Sequence, residues 1–426
     1  MIKKILGAAI VYIGLPSNIY FIAIARLILG LGNFILPFML LLLTERFNYS
    51  ATIATSLTMG VTGAYFIGSM LGGKLSDKIG HKHVFVYGEL AGAVVLLACG
   101  FFLSTPIVIP FLLFGAYLFF GLALPASNAL VADLSNPKNR DAIMSLSYLA
   151  FNLGSSVGPL VAGYLFWDHT HWIFWGNGLT SLIGALIVLF GVTSIYKEKI
   201  TTQKVLSNVE FEQPIAGTIW TILSERPRII IFSFLCSLMW VVMTQMTVAN
   251  PLYLNFMFDS YGPVLFGQLC TFSCLAIVLI TPILITLTSK KSDIITLAYS
   301  GIFFSVGYLL VMSGKMIPTQ FIAWFFLSAG EILLYTKEGI YLANQSPISH
   351  RGRIQSFSIS IRYIFLMPSF ILIGFAIDNF GYQYTWMLII LIAVLPTFGF
   401  IIMDKFLRKN NLIDNANKTH SENIRD

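Results

Sequence analysis

Six ionisable residues stand inside long apolar stretches: Arg26, Glu89, Glu331, Lys337, Glu338 and Arg362. Charged groups are costly away from water, so each is a functional candidate. Glu331 is the deepest. It lies about twelve residues from either end of its stretch, roughly 18 Å along a helix axis from each. A carboxyl shielded at that depth is suited to binding and releasing a proton. The others lie about five to nine residues from the nearer end, where they can reach the surface or pair, as Glu338 with Arg362. Arg26 is placed to touch Glu89 or an anionic ligand. Asn33, Tyr148, Asn152, Trp240, Gln245 and Asn250 are softer candidates for lining a polar path.

Other chemistries find little support. Cys99, Cys236, Cys270 and Cys274 all lie in apolar stretches and read as small core residues. No histidine stands near Cys270 and Cys274 in sequence, and His169 with His171 makes only a two-residue set, so no metal site is expected. Gly154-Ser155-Ser156-Val157-Gly158 fits the hydrolase pattern G-x-S-x-G, but that pattern needs a strand-to-helix elbow that an apolar helix lacks. No G-x-x-x-x-G-K-[ST] sequence is present. The expectation is therefore no enzyme and no cofactor, with an ion gradient as any driving force.

The elements that hold these residues are set by composition. Of 426 residues, 57% are hydrophobic and 11% charged, with mean hydropathy +0.81. Soluble proteins carry about 25% charged residues. A soluble, disordered or disulfide-framed secreted chain is excluded, and the bilayer is the expected solvent. A span needs about 20 apolar residues. The pattern predicts an all-α polytopic membrane protein with twelve transmembrane helices, near 20–43, 51–73, 84–103, 107–133, 142–166, 172–195, 229–258, 263–288, 294–313, 319–342, 354–377 and 383–404.

Most of the 26 Lys and Arg fall on the side that holds both termini, while Arg46 and Lys315 face the other. The positive-inside rule then makes both termini cytoplasmic. The net charge of +7 is a topology signal and calls for no nucleic acid. The expected organisation is an N-terminal segment (1–19), a six-helix bundle (20–195), a charged linker (196–228), a second six-helix bundle (229–404) and a tail (405–426). Segment 1–19 reads as a short surface helix or an extension of the first span. The halves are related by sequence. Ala132–Phe166 aligns without a gap on Ala343–Ile377, matching Ser135/Ser346, Arg140/Arg351, Ser147/Ser358 and Gly163/Gly374 among others. Two such repeats can rock about a shared site to give alternating access.

Two motifs carry a family resemblance. Gly73-Lys74-Leu75-Ser76-Asp77-Lys78-Ile79-Gly80-His81-Lys82 resembles G-x-L-x-D-[RK]-x-G-[RK]-[RK] of the major facilitator superfamily, followed by Asp133 and Arg140. Gly73 is expected to allow close helix packing and Gly80 a tight turn. Gly154-Ser155-Ser156-Val157-Gly158-Pro159-Leu160-Val161-Ala162-Gly163 resembles G-x-x-x-G-P-x-x-G-G of that superfamily's drug/proton antiporters, with Ala162 replacing one glycine. Gly330-Glu331 resembles the tenth helix of bacterial multidrug exporters. The arginine typical of the fourth helix is absent, and Tyr117 and Gly121 occupy that region.

The resemblance implies two pseudo-symmetric six-helix bundles and proton-coupled export of amphipathic molecules from a cell membrane, by a monomer. Proton coupling would rest on Glu331, aided by Glu89 or Asp133. The substrate cavity would include Arg26, Asn33, Tyr148, Asn152, Trp240, Gln245, Glu338 and Arg362. Uptake of a peptide or sugar, and lipid flipping, are the alternatives. The family usually has Arg or Lys where this chain has His81, and in relatives that cation bonds an acid matching Asp133. A pH-sensitive latch between His81 and Asp133 is expected, with Lys82 or Lys78 as the competing partner.

Overall fold

A computed structural model describes residues 12, 14–135, 139–193, 223–224, 226–345 and 351–422. The side chains of 140–141, 343, 351–353 and 409–422 lie outside that description, as does most of the predicted linker. All secondary structure among the described residues is helical.

The helices are α1 (Ser17–Leu31), α2 (Ile35–Leu41, ending in a π-helical turn at Leu42–Arg46), α3 (Ala51–Ile79), α4 (His81–Phe101), α5 (Val108–Asp133), α6 (Arg140–Leu165) and α7 (Thr170–Gly191). The second half has α8 (Pro227–Thr244), α9 (Ala249–Phe258), α10 (Gly262–Thr288), α11 (Asp293–Ser313), α12 (Ile317–Gln345) and α13 (Arg351–Glu422). A helix occupies every stretch predicted to span. Gly381, at φ 75°, breaks α13 between its two predicted spans, a conformation that glycine adopts without strain. Gly80, at φ 93°, does the same between α3 and α4. Ser50 and Ser292 cap α3 and α11 by accepting from Ile53 N and Ile295 N.

Two predicted helices are not continuous. The first breaks at Gly32–Phe34 and the seventh at Gln245–Val248. Each break ends three residues ahead of a proline, Pro37 and Pro251 respectively. Proline cannot donate to the carbonyl four residues back, and its ring crowds that carbonyl. At the second break the Tyr308 hydroxyl donates to Val242 O at 2.8 Å, supplying a partner from α11.

Among the described residues, eight stretches are long and apolar enough to cross a membrane, including Ser17–Arg46, His81–Phe101, Val108–Asp133 and Asp293–Ser313. Those at Pro227–Thr288 and Ile354–Arg408 have 62 and 55 residues, far beyond the roughly 20 that one crossing needs. Phe190, Ile107 and Phe101 are 81%, 75% and 73% exposed, a surface made for lipid and not for water.

Packing divides the chain into two compact units, Met1–Ser207 with Thr247–Cys274, and Asn208–Met246 with Leu275–Asp426. The sequence division put 247–274 in the second bundle, whereas packing groups it with the first. Glycine contact between α6 and α10 is the cause. A Cβ on Gly267 would lie 2.4 Å from Pro159 O, and one on Gly163 2.6 Å from Pro263 O. Trp167 Nε1 also donates to Ser260 O at 2.9 Å, and Phe38 meets Phe266 edge-on at 5.0 Å.

In the first unit α3 packs on α5, α4 on α5 and α7, and α1 on α6 and α7. Ile22, Val84, Phe85, Ala126, Val131 and Val188 belong to one buried cluster there. In the second, α11 packs on α12 and α13, and α8 on α13. Tyr308 stacks on Trp386 at 5.4 Å, and both are buried.

Candidate functional site

The first unit contains a cavity of about 250 Å³. Helical spacing places its walls. Arg26, Leu29 and Asn33 form one stripe of α1 and its break. Tyr117, Phe120, Leu124, Ser127 and Asn128 come from α5, Glu89 from α4, and Asn177 and Ser181 from successive turns of α7. Tyr65 of α3 and Phe151 of α6 complete it.

Both charged residues in this cavity are held by neutral groups. Arg26 Nη2 donates to Ser127 Oγ at 3.0 Å and Asn128 Oδ1 at 2.8 Å. Glu89 is hydrogen-bonded by Ser181. No ion pair within 4.0 Å joins Arg26 to Glu89 among the described residues. Asn33 lines the cavity. Tyr148 and Asn152 do not: Tyr148 is 65% exposed, and the Asn152 amide returns to Tyr148 O of its own helix. Phe151, their neighbour on α6, takes that wall.

The loop motif builds a clasp at one end of this unit. His81 Nδ1 lies 2.6 Å from Asp133 Oδ2, and His81 Nε2 lies 4.0 Å from the exposed Asp77. Lys82 is engaged elsewhere. Its ammonium donates to Leu189 O at 2.8 Å and Val192 O at 2.6 Å, the terminal carbonyls of α7, where a cation also meets the negative helix end. Lys78 makes no ion pair among the described residues. The Arg140 side chain lies outside the described residues.

The packing role expected of Gly73 belongs to its neighbour. A Cβ on Gly73 would meet nothing within 4 Å, whereas one on Gly72 would lie 2.2 Å from Leu122 O. The α6 glycines do meet partner backbone. A Cβ on Gly154 would lie 2.1 Å from Leu27 O, and one on Gly158 3.0 Å from Leu31 O. Near Pro159 the Thr271 hydroxyl donates to Ser156 O.

The second unit holds a compact charged cluster. Arg362 Nη2 donates to both oxygens of Glu338, at 2.8 and 2.9 Å. Trp240 Nε1 donates to Glu338 Oε2 at 2.7 Å, and Ser358 Oγ to Oε1 at 3.4 Å. The Arg362 guanidinium lies over the Trp240 ring at 3.7 Å. Trp240, Glu338 and Arg362 are thus brought together. Gln245 is not part of this cluster. Its amide donates to Val241 O beside the helix break. Lys337 pairs with Asp293 at 2.9 Å. Glu331 is half-buried on α12 and makes no hydrogen bond or ion pair among the described residues.

Sequence reasoning missed Ser127, Asn128, Asn177 and Ser181. Their signal was present as polar residues at helical spacing within apolar helices.

The family profile of the Major Facilitator Superfamily matches residues 22–364. A Na+, Li+, K+/H+ antiporter of Planococcus maritimus is 21% identical over 362 residues, covering 79% of this chain and 84% of its own. Multidrug resistance protein 3 of Bacillus subtilis is 31% identical over 150 residues, 34% of this chain and 28% of its own. The solved structure of a peptide transporter, POT, superposes with TM-score 0.73 at 14% identity, covering 92% of this chain and 94% of that one. With its many apolar helices and a profile match along most of its length, this chain is a multi-pass membrane transporter and belongs to the Major Facilitator Superfamily.

Proposed function

We propose that this transporter exchanges protons for amphipathic small molecules and exports them across the cell membrane by alternating access, as a monomer with both termini cytoplasmic. The observation that carries the reading is the first-unit cavity, where aromatic walls surround Arg26 and Glu89, neither neutralised by an ion pair with the other. A greasy body fits the walls and a polar head fits the charges. Glu89 and the unpaired Glu331 supply membrane-embedded carboxyls that exchange protons, and occupation by a proton biases the equilibrium between the two access states. The α6 glycine motif and the multidrug relative support export. No cofactor enters the scheme, and the driving force is the proton gradient.

The test is dye flux in proteoliposomes under an imposed pH gradient. Gradient-driven counterflow lost in Glu89→Gln and Glu331→Gln supports proton exchange at these carboxyls. The cation/proton relative favours one second reading, exchange of monovalent cations. Driven Na+ or K+ movement without dye movement would establish it. A solute moving with the protons would instead indicate uptake.

A further inference from the structure

We infer that the first-unit cavity recognises a small zwitterion of amino-acid size, with its anionic group on Arg26, its ammonium on Glu89 and an apolar body against the aromatic walls. The inference rests on the transporter reading of this cavity and adds the charge pattern of the ligand.

Spare bonding capacity is the first argument. A guanidinium has five N–H donors, and the two bonds recorded for Arg26 both leave from Nη2, to neutral acceptors. A carboxylate has about four acceptor positions, and Glu89 receives one hydroxyl bond, from Ser181. Arg26 is held in place by these bonds, and both groups keep most of their bonding directions.

Separation is the second. Both groups line one void of about 250 Å³, yet no ion pair within 4.0 Å joins them. The Glu338–Arg362 pair of the second unit shows the alternative, since there the two charges bond directly. A ligand with one charge leaves either Arg26 or the Glu89 carboxyl without an ionic partner in a poorly hydrated space. A zwitterion matches both. Tyr65, Phe120 and Phe151 then offer faces to the apolar body, and Asn33 and Asn177 offer neutral donors and acceptors.

Three ligands of matched shape test this: phenylalanine, phenethylamine and 3-phenylpropanoate. Binding to the purified full-length chain is measured by calorimetry and by ligand-induced thermal shift. Phenylalanine is expected to bind about tenfold to a hundredfold more tightly than either analogue, the range for losing a charged hydrogen bond. Arg26→Gln should abolish the preference over phenethylamine, and Glu89→Gln the preference over 3-phenylpropanoate. An analogue that binds the parent chain as well as phenylalanine does, or absence of phenylalanine binding, overturns the inference whether or not the variants fold. Dye flux in proteoliposomes runs in parallel. Driven flux without zwitterion preference removes this inference and leaves the transport reading. Zwitterion preference without driven flux of any solute does the reverse.

Discussion

His81 Nδ1 and Asp133 Oδ2 lie 2.6 Å apart, joining the start of α4 to the end of α5. An arginine in this position would carry its charge at every accessible pH, whereas an imidazole changes charge between about pH 5 and 8. An imidazolium bonds a carboxylate more strongly than a neutral imidazole does. Lys82 is committed to the end of α7, and Lys78 makes no ion pair among the described residues. His81→Arg is therefore expected to flatten the pH dependence of transport between pH 5 and 8. An unchanged flux profile in that variant would remove the latch.

The cluster of Glu338, Arg362 and Trp240 predicts an asymmetry between single and double substitutions. Removing one member of a buried pair leaves an uncompensated charge and costs about 3–5 kcal/mol. Glu338→Ala should lower the thermal midpoint in detergent strongly, and Glu338→Gln less, because the amide still accepts from Trp240 Nε1. The double variant Glu338→Leu with Arg362→Met should recover much of the loss. Additive losses in the double variant would show that the charges act independently.

Adjacent glycines give a sharper contrast. Gly72→Ala pushes a methyl group against the α5 backbone at Leu122, and forced overpacking costs about 1–3 kcal/mol. Gly73→Ala meets open space and gains helix propensity, worth up to about 1 kcal/mol. Thermal unfolding of the two variants should therefore shift in opposite directions. If Gly73→Ala keeps its stability but loses flux, the motif glycine serves the transport cycle and not the packing of this state.

Much of this was legible in the chain itself. Apolar runs located a helix in each predicted stretch, because the length of a span and its lack of charge are read from composition. The family resemblance carried by Gly73–Lys82 pointed to Asp133 as the partner of His81. The breaks in the first and seventh helices escaped the reading because apolar content continues through them. Pro37 and Pro251 were the available signal. The cavity escaped for another reason. It depends on which faces of α1 and α3 to α7 converge, and Ser127, Asn128, Asn177 and Ser181 look unremarkable along any one of them. The grouping of 247–274 with the first unit is tertiary as well, since it follows from the contact of Gly163 and Gly267 with backbone far away in sequence.

Tyr308 provides the last prediction. A helix broken in a bilayer frees carbonyls that have no water to bond, so a partner must come from a neighbouring helix. At the break between α8 and α9 the Tyr308 hydroxyl donates to Val242 O alongside Gln245 N, and its ring is fixed by stacking on Trp386. Tyr308→Phe keeps the stacking ring and removes only the donor. Val242 O keeps its bond from Gln245 N, so the loss is that of one hydrogen bond, about 0.5–1.5 kcal/mol. The variant should fold with a lowered thermal midpoint, and amide exchange should rise locally across Thr244–Val248 as the break loosens. Tyr308→Leu removes the stack as well and should fall further. If Tyr308→Phe matches the parent in both stability and exchange, the hydroxyl bond does not stabilise the break.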